Sequence, residues 1–95
     1  MNLESSTYEN RLDMAISKPE SLGMPESIKP LAIYLKQNYY PCDDNNINVM
    51  YRTSHDFVTL FSDMVNLTEN DVAKLFLYLG YRMSNVFNPC WCLMP

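Results

Sequence analysis

The chain has 95 residues, 47% of them apolar and 13% aromatic, which is enough for one small globular domain whose core needs no disulfide or metal staple. Its formal charge of −4 and sequence pI of about 4.7 are a poor basis for a free-standing nucleic-acid binder, whose affinity comes largely from Lys and Arg at phosphates. No apolar run approaches the roughly 18 residues of a membrane span, and the start Met-Asn-Leu-Glu-Ser-Ser lacks the basic flank and apolar stretch of a signal peptide.

The expected setting is therefore cytoplasmic, and three cysteines in such a chain read as reduced thiols. The charge is uneven. Residues 1–48 hold four bases against seven acids. Residues 49–95 hold Arg52, Lys74 and Arg82 against Asp56, Asp63, Glu69 and Asp71. The second half is nearly neutral.

Residues 1–26 are polar and punctuated, and read as an arm and linker. Leu3 to Ile16 has the pattern of a weakly amphipathic helix, with Leu12, Ala15 and Ile16 on one side. Pro19, Gly23 and Pro25 then interrupt regular structure. The domain proper is expected over residues 27–95.

Its first helix is predicted from Ser27 to Tyr40, on the helical spacing of Ile28, Leu31, Ala32, Leu35 and Tyr39. Pro30 is tolerable only in the first turn, and Pro41 stops the helix. A polar loop, Cys42 to Asn48, leads to a short extended segment over Val49–Arg52.

Two capped helices follow. Thr53 precedes Asp56 by three residues and Thr68 precedes Asp71 by three. In each pair a hydroxyl can accept from an orphan amide, and an acid favours the positive end of the helix dipole. The second helix is predicted at about 54–65, with Phe57, Val58, Leu60, Phe61 and Met64 as its apolar face. The third is predicted at about 69–79, with Val72, Leu75, Phe76 and Leu79 inward and Gly80 as a left-handed cap. Only Val65-Asn66-Leu67 is expected between them. Tyr81–Ser84 and Cys90–Met94 read as two strands, and Asn85 to Pro89 carries turn chemistry.

The order helix, short strand, helix, tight turn, helix, two-stranded hairpin resembles the winged helix-turn-helix family. The resemblance covers roughly residues 28–95 and rests on Val49–Arg52, the Thr53 and Thr68 caps, Asn66, Gly80 and Trp91. The run Tyr51-Arg52-Thr53-Ser54 through Trp91-Cys92-Leu93 also looks like winged-helix-like tail domains of replication and mobile-element proteins. The fold this implies is α+β: three helices plus a C-terminal two-stranded wing, with an N-terminal arm. In that family the third helix enters the major groove and the wing touches the backbone or minor groove. The resemblance therefore implies nucleic-acid contacts from Asn70, Lys74 and Tyr78 on the third helix and from Arg82 and Asn85 on the wing, with Ser84 and Asn88 beside them. Asn70 would read an adenine edge, and Lys74 and Arg82 would meet phosphate. One departure stands out. Glu69 and Asp71 occupy the helix start, where base contacts are normally made, and there they cap the helix but repel phosphate.

Other chemistry is thin. Cys90 and Cys92 alternate along one strand, but with Cys42 and His55 they lack the spacing of a zinc knuckle, so no metal or cofactor is expected. His55, the single histidine, falls in a helix's first turn and has no recognisable triad spacing, so no enzyme is expected. Asp43 to Asn48 superficially resembles a calcium loop but lacks its glycine and its closing glutamate. Tyr34, Tyr39, Tyr40, Tyr51, Tyr78 and Tyr81 read as core-edge residues with hydroxyls in water, some of which can anchor a partner. Trp91 is expected to pack the wing onto the helices.

Two functions fit these residues. One is a DNA-binding or regulatory module, from a mobile element or phage, for which dimerisation or a larger machine compensates for the weak charge. The other is an acidic protein-interaction module or inhibitor that uses the same face, anchored by Leu77, Tyr78 and Tyr40.

Overall fold

A computed structural model of the chain describes residues 2–42, 48–84 and 90–95, with side chains from Thr7 onward. The described residues form a small α+β domain with four α-helices and one small antiparallel sheet.

The first helix, α1, spans Asn2–Ser17. Tyr8, Leu12 and Ala15 follow one another by four and three residues, so they share a face, and all three are buried in the common core. The following segment is built as two short 3-10 turns, Pro19–Leu22 and Glu26–Ile28. Gly23 closes the first at φ 76°, a left-handed conformation that glycine adopts without strain. Pro19, Met24 and Ile28 are buried, so this polar-looking stretch is pinned by its few apolar residues.

Helix α2 spans Lys29–Asn38, with Pro30 in the first turn and Leu31, Ala32 and Leu35 buried. It is shorter than its apolar spacing suggests. Pro41 disfavours helical backbone at the residue before it, and Tyr40–Pro41 instead forms a short strand, β1.

Strand β2, Met50–Arg52, feeds α3, Ser54–Leu60. The Thr53 capping box is complete: Asp56 N–H donates to Thr53 Oγ1 at 3.1 Å, and Thr53 N–H donates to Asp56 Oδ2 at 2.8 Å. The expected extension of this helix to residue 65 does not occur. The chain turns at Phe61, where the Ser62 hydroxyl donates to the Thr59 carbonyl and both Met64 N–H and Val65 N–H donate to the Phe61 carbonyl. The inward pair is Phe57 and Phe61, four residues apart. Leu60 and Met64, expected on the apolar face, are 54% and 68% exposed. The connection to the next helix is accordingly longer than three residues.

Helix α4 spans Glu69–Leu79 and buries Val72, Leu75, Phe76 and Leu79 as their spacing predicts. Thr68 Oγ1 accepts from Asp71 N–H at 3.1 Å, and Gly80 closes the helix at φ 93°. Strands β3, Met83–Ser84, and β4, Cys90–Met94, complete the fold. The predicted turn from Asn85 to Pro89 lies outside the described residues, as do Asp43 to Ile47 of the polar loop.

Strand β4 is the centre of the sheet. Residues of β2 pair along one edge, as Met50 with Leu93, Tyr51 with Cys92 and Arg52 with Trp91. Leu93 also pairs with Pro41, and Trp91 also pairs with Met83, so β1 and β3 lie end to end along the other edge. Cys92 N–H donates to the Arg82 carbonyl on that second edge. Ladder alternation then turns the Leu93 amide toward β2, so Pro41 sits where the ladder needs no donor. Trp91 carries the sheet onto the helices. Its indole stacks on Phe76 at 5.1 Å and 11°, and its N–H donates to Ser54 Oγ at 3.0 Å.

The expectation of three helices and a two-stranded wing is thus revised to four helices and a sheet of four strand segments. Helix α1 joins the same core as α2 and α4, and the last strand pairs with β1 and β2 as well as with β3.

Candidate interaction surface

The outer face of α4 begins at its N-terminus. Glu69 Oε2 lies 3.3 Å from His55 Nδ1, so an exposed imidazole and an exposed carboxylate link the starts of α3 and α4. Asn70 is exposed beside them. Lys74 is exposed too, but its ammonium donates to the Gly23 carbonyl at 3.2 Å, which draws the cation toward the turn that follows α1. Leu77 faces solvent with 64% of its surface exposed.

Tyr78 is half-buried and packs against the core. The Arg11 guanidinium of α1 stands 5.6 Å from its ring centroid and donates to the Tyr78 carbonyl at 2.8 Å. An arginine at the C-terminal end of a helix meets the negative end of the dipole there, and the ring face adds a cation–π contact.

Arg82 is exposed just before β3, and its carbonyl is held by Cys92. Asn85 and Asn88 lie outside the described residues. Tyr40 is exposed on β1, with its ring 5.9 Å from that of Tyr8. Tyr40 and Tyr78 each meet α1, Tyr40 at Tyr8 and Tyr78 at Arg11.

Tyr8 and Arg11 are the residues that sequence reasoning passed over. The Tyr8 hydroxyl donates to the Tyr39 carbonyl at 3.1 Å and lies 2.7 Å from the Tyr81 hydroxyl. Burial pushes the Tyr8 phenol up to about 12, against the contrary effect of its bond to Tyr81. Burial and the neighbouring Tyr8 push Tyr81 higher still. The expectation that the Tyr81 hydroxyl reaches water is corrected by this bond.

A concave opening lies elsewhere on the domain. Tyr34 of α2, Tyr39 just after that helix, Arg52 of β2, and Asp56, Phe57 and Leu60 of α3 line an open groove of about 390 Å³. Tyr34 is raised above the ordinary phenol value by burial and by Tyr39, while Arg52 pulls it the other way. Helical spacing links Phe57 and Leu60 within α3, but no local pattern joins them to Tyr34, Tyr39 and Arg52. The one local hint is Arg52 standing immediately before a helix cap.

Cys42 and Cys90 are half-buried and Cys92 is buried; the Cys90 thiol donates to the Ser84 carbonyl at 3.6 Å. Among the described residues no three His, Cys, Asp or Glu side chains are grouped to hold a metal ion, so Cys42, Cys90, Cys92 and His55 do not converge. No described helix is long and apolar enough to cross a membrane. No protein-family model matches the chain, and no curated protein or solved structure is significantly similar to it.

Proposed function

We propose that this chain is a winged-helix-like module that binds another protein through the outer face of α4. The order α2, β2, α3, α4 and the antiparallel pair β3–β4 supports the winged-helix reading, as does the pairing of β2 with the last strand. α1 is an addition to that plan.

The observation that carries the functional reading is the chemistry of α4's outer face. Leu77 is open to solvent, Lys74 is bonded to the chain's own Gly23 carbonyl, and Glu69 and Asp71 stand at the end where a DNA reader meets bases. An exposed leucine with few uncommitted cations suits a desolvating protein contact better than a phosphate surface. A second copy of the chain is one such partner.

Duplex DNA is the second reading, favoured by exposed Asn70 and Arg82 on α4 and at the start of the wing. Titration against random-sequence duplex at low and moderate salt separates the two. The protein-binding reading expects no binding at low salt. Binding that weakens steeply with salt, and that Lys74→Glu with Arg82→Glu abolishes, would establish the DNA reading instead. For a captured protein partner, Leu77→Asp is expected to abolish the complex and the two charge reversals to leave it intact.

A further inference from the structure

We propose that the groove between α2, β2 and α3 docks a short peptide segment of another protein, one that carries a carboxylate side chain beside a large apolar side chain. This site is separate from the α4 face and does not depend on it.

The groove has the size of a side-chain pocket, and its two halves differ in chemistry. Phe57 forms an apolar floor, the rings of Tyr34 and Tyr39 form one wall, and Leu60 stands 54% exposed at the rim. Further along the chain Met64 is 68% exposed, so apolar surface is offered beyond the groove as well. That half suits a leucine or an aromatic side chain.

The other half is set by two charged residues of unequal availability. The Asp56 carboxylate is committed to the capping box, where Oδ2 accepts the Thr53 amide at 2.8 Å. Arg52 donates from Nη1 to the carbonyl of Tyr51 at 3.0 Å, one short-range bond for a group with five N–H donors. Tyr34 lines the same groove as Arg52. Guanidinium donors and a phenol thus border the same opening, an arrangement that matches the planar, singly charged carboxylate. A phosphate dianion is disfavoured, because a single arginine lines the groove and sets one positive charge against two negative ones.

Selection of short random peptides on the immobilised full chain tests this. The selected peptides are expected to share an Asp or Glu beside Leu, Phe or Trp. A labelled peptide from that set is then titrated by fluorescence anisotropy. Arg52→Glu and Leu60→Asp are each expected to weaken it by more than about tenfold, as loss of a charge-assisted hydrogen bond or an apolar anchor implies. Leu77→Asp is expected to leave it unchanged, which keeps this site's failure distinct from failure of the α4 face. A peptide with its acid changed to lysine is expected to regain binding to Arg52→Glu. Amide chemical shifts of the unmutated chain locate the peptide whether or not a variant folds. The proposal is overturned if no peptide is selected, if the shared feature is basic, or if the shift changes fall away from Arg52 and Leu60.

Discussion

The hydroxyls of Tyr8 and Tyr81 meet at 2.7 Å in the buried centre of the domain, across 73 residues of sequence. Because Tyr8 spends its proton on the Tyr39 carbonyl, Tyr81 is the donor between them. The pair joins α1 to the residue that follows Gly80 and to the end of α2. Neutral phenols are what the site accepts, so its contribution depends on pH. The folded Tyr8 value of about 12 lies above its ordinary 10.0. The unfolded chain therefore loses its proton first, and stability is complete below pH 10 and falls as pH rises toward 12. The melting temperature is expected to drop along that limb. Tyr8→Phe with Tyr81→Phe should cost about 1–3 kcal/mol at neutral pH and flatten the alkaline decline. A decline unchanged in the double variant would show that other groups govern it.

Leu12 makes α1 an energetic part of the domain. It is fully buried among residues of α2 and α4, with Tyr8 and Ala15 on the same face. Leu12→Ala should destabilise the whole domain by about 2–5 kcal/mol in urea unfolding, as a core truncation does. A single transition is expected, because one hydrophobic cluster includes α1. A loss of helical signal that precedes tertiary unfolding would mean that α1 detaches alone.

Signals that act over a few residues were legible. Thr53 and Thr68 start their helices, Gly80 ends one, and the apolar spacing of Val72, Leu75, Phe76 and Leu79 marks the buried side of α4. These devices depend on neighbours within one turn, so residue order carries them. The end of α3 was not legible, because Leu60 and Met64 keep helical spacing with apolar chemistry and yet face water. The contacts that shape the surface were not legible either. Arg11 reaches the Tyr78 carbonyl across 67 residues and Lys74 reaches Gly23 across 51. Such pairs arise from the way helices cross, which no local pattern encodes. The candidate α4 face was therefore readable as a set of residues, but the commitment of its cations was not.

The two threonine caps offer an internal comparison. Thr53 takes part in a reciprocal box, whereas the bond described for Thr68 is the single one from Asp71. Thr53→Ala and Thr68→Ala should each cost about 0.5–2 kcal/mol, with Thr53→Ala the larger. Asp56→Ala should add less than its own cost when combined with Thr53→Ala, since both break the same box. Chemical denaturation of the four proteins measures this coupling.

Gly80 isolates a backbone effect. At φ 93° it lies in the left-handed region, and a Cβ built there meets nothing within 4 Å. The cost of Gly80→Ala is thus conformational and not steric crowding, about 1–2 kcal/mol. Gly80→Asn is expected to cost less, because asparagine tolerates that region better. Equal losses for the two would point to a contact instead of backbone strain.

Trp91 offers the most direct test of how the last strand is held. Its indole stacks on Phe76 of α4, and its N–H donates to Ser54 Oγ at the start of α3. Trp91→Phe retains an aromatic ring but removes the donor and leaves unfilled volume, and about 1–3 kcal/mol should be lost. Ser54→Ala should cost about 1 kcal/mol, since it leaves the buried indole N–H without its acceptor. In the double variant neither half of the bond remains. The losses should therefore fall short of additive by about 0.5–1.5 kcal/mol, the worth of the bond itself. Because Trp91 is the only tryptophan, its fluorescence follows Ser54→Ala directly. Emission should stay blue-shifted while the transition midpoint falls, as expected if the stack on Phe76 keeps the ring buried after the hydrogen bond is gone. A red shift in the folded protein would show that Ser54, and not Phe76, holds the indole in place.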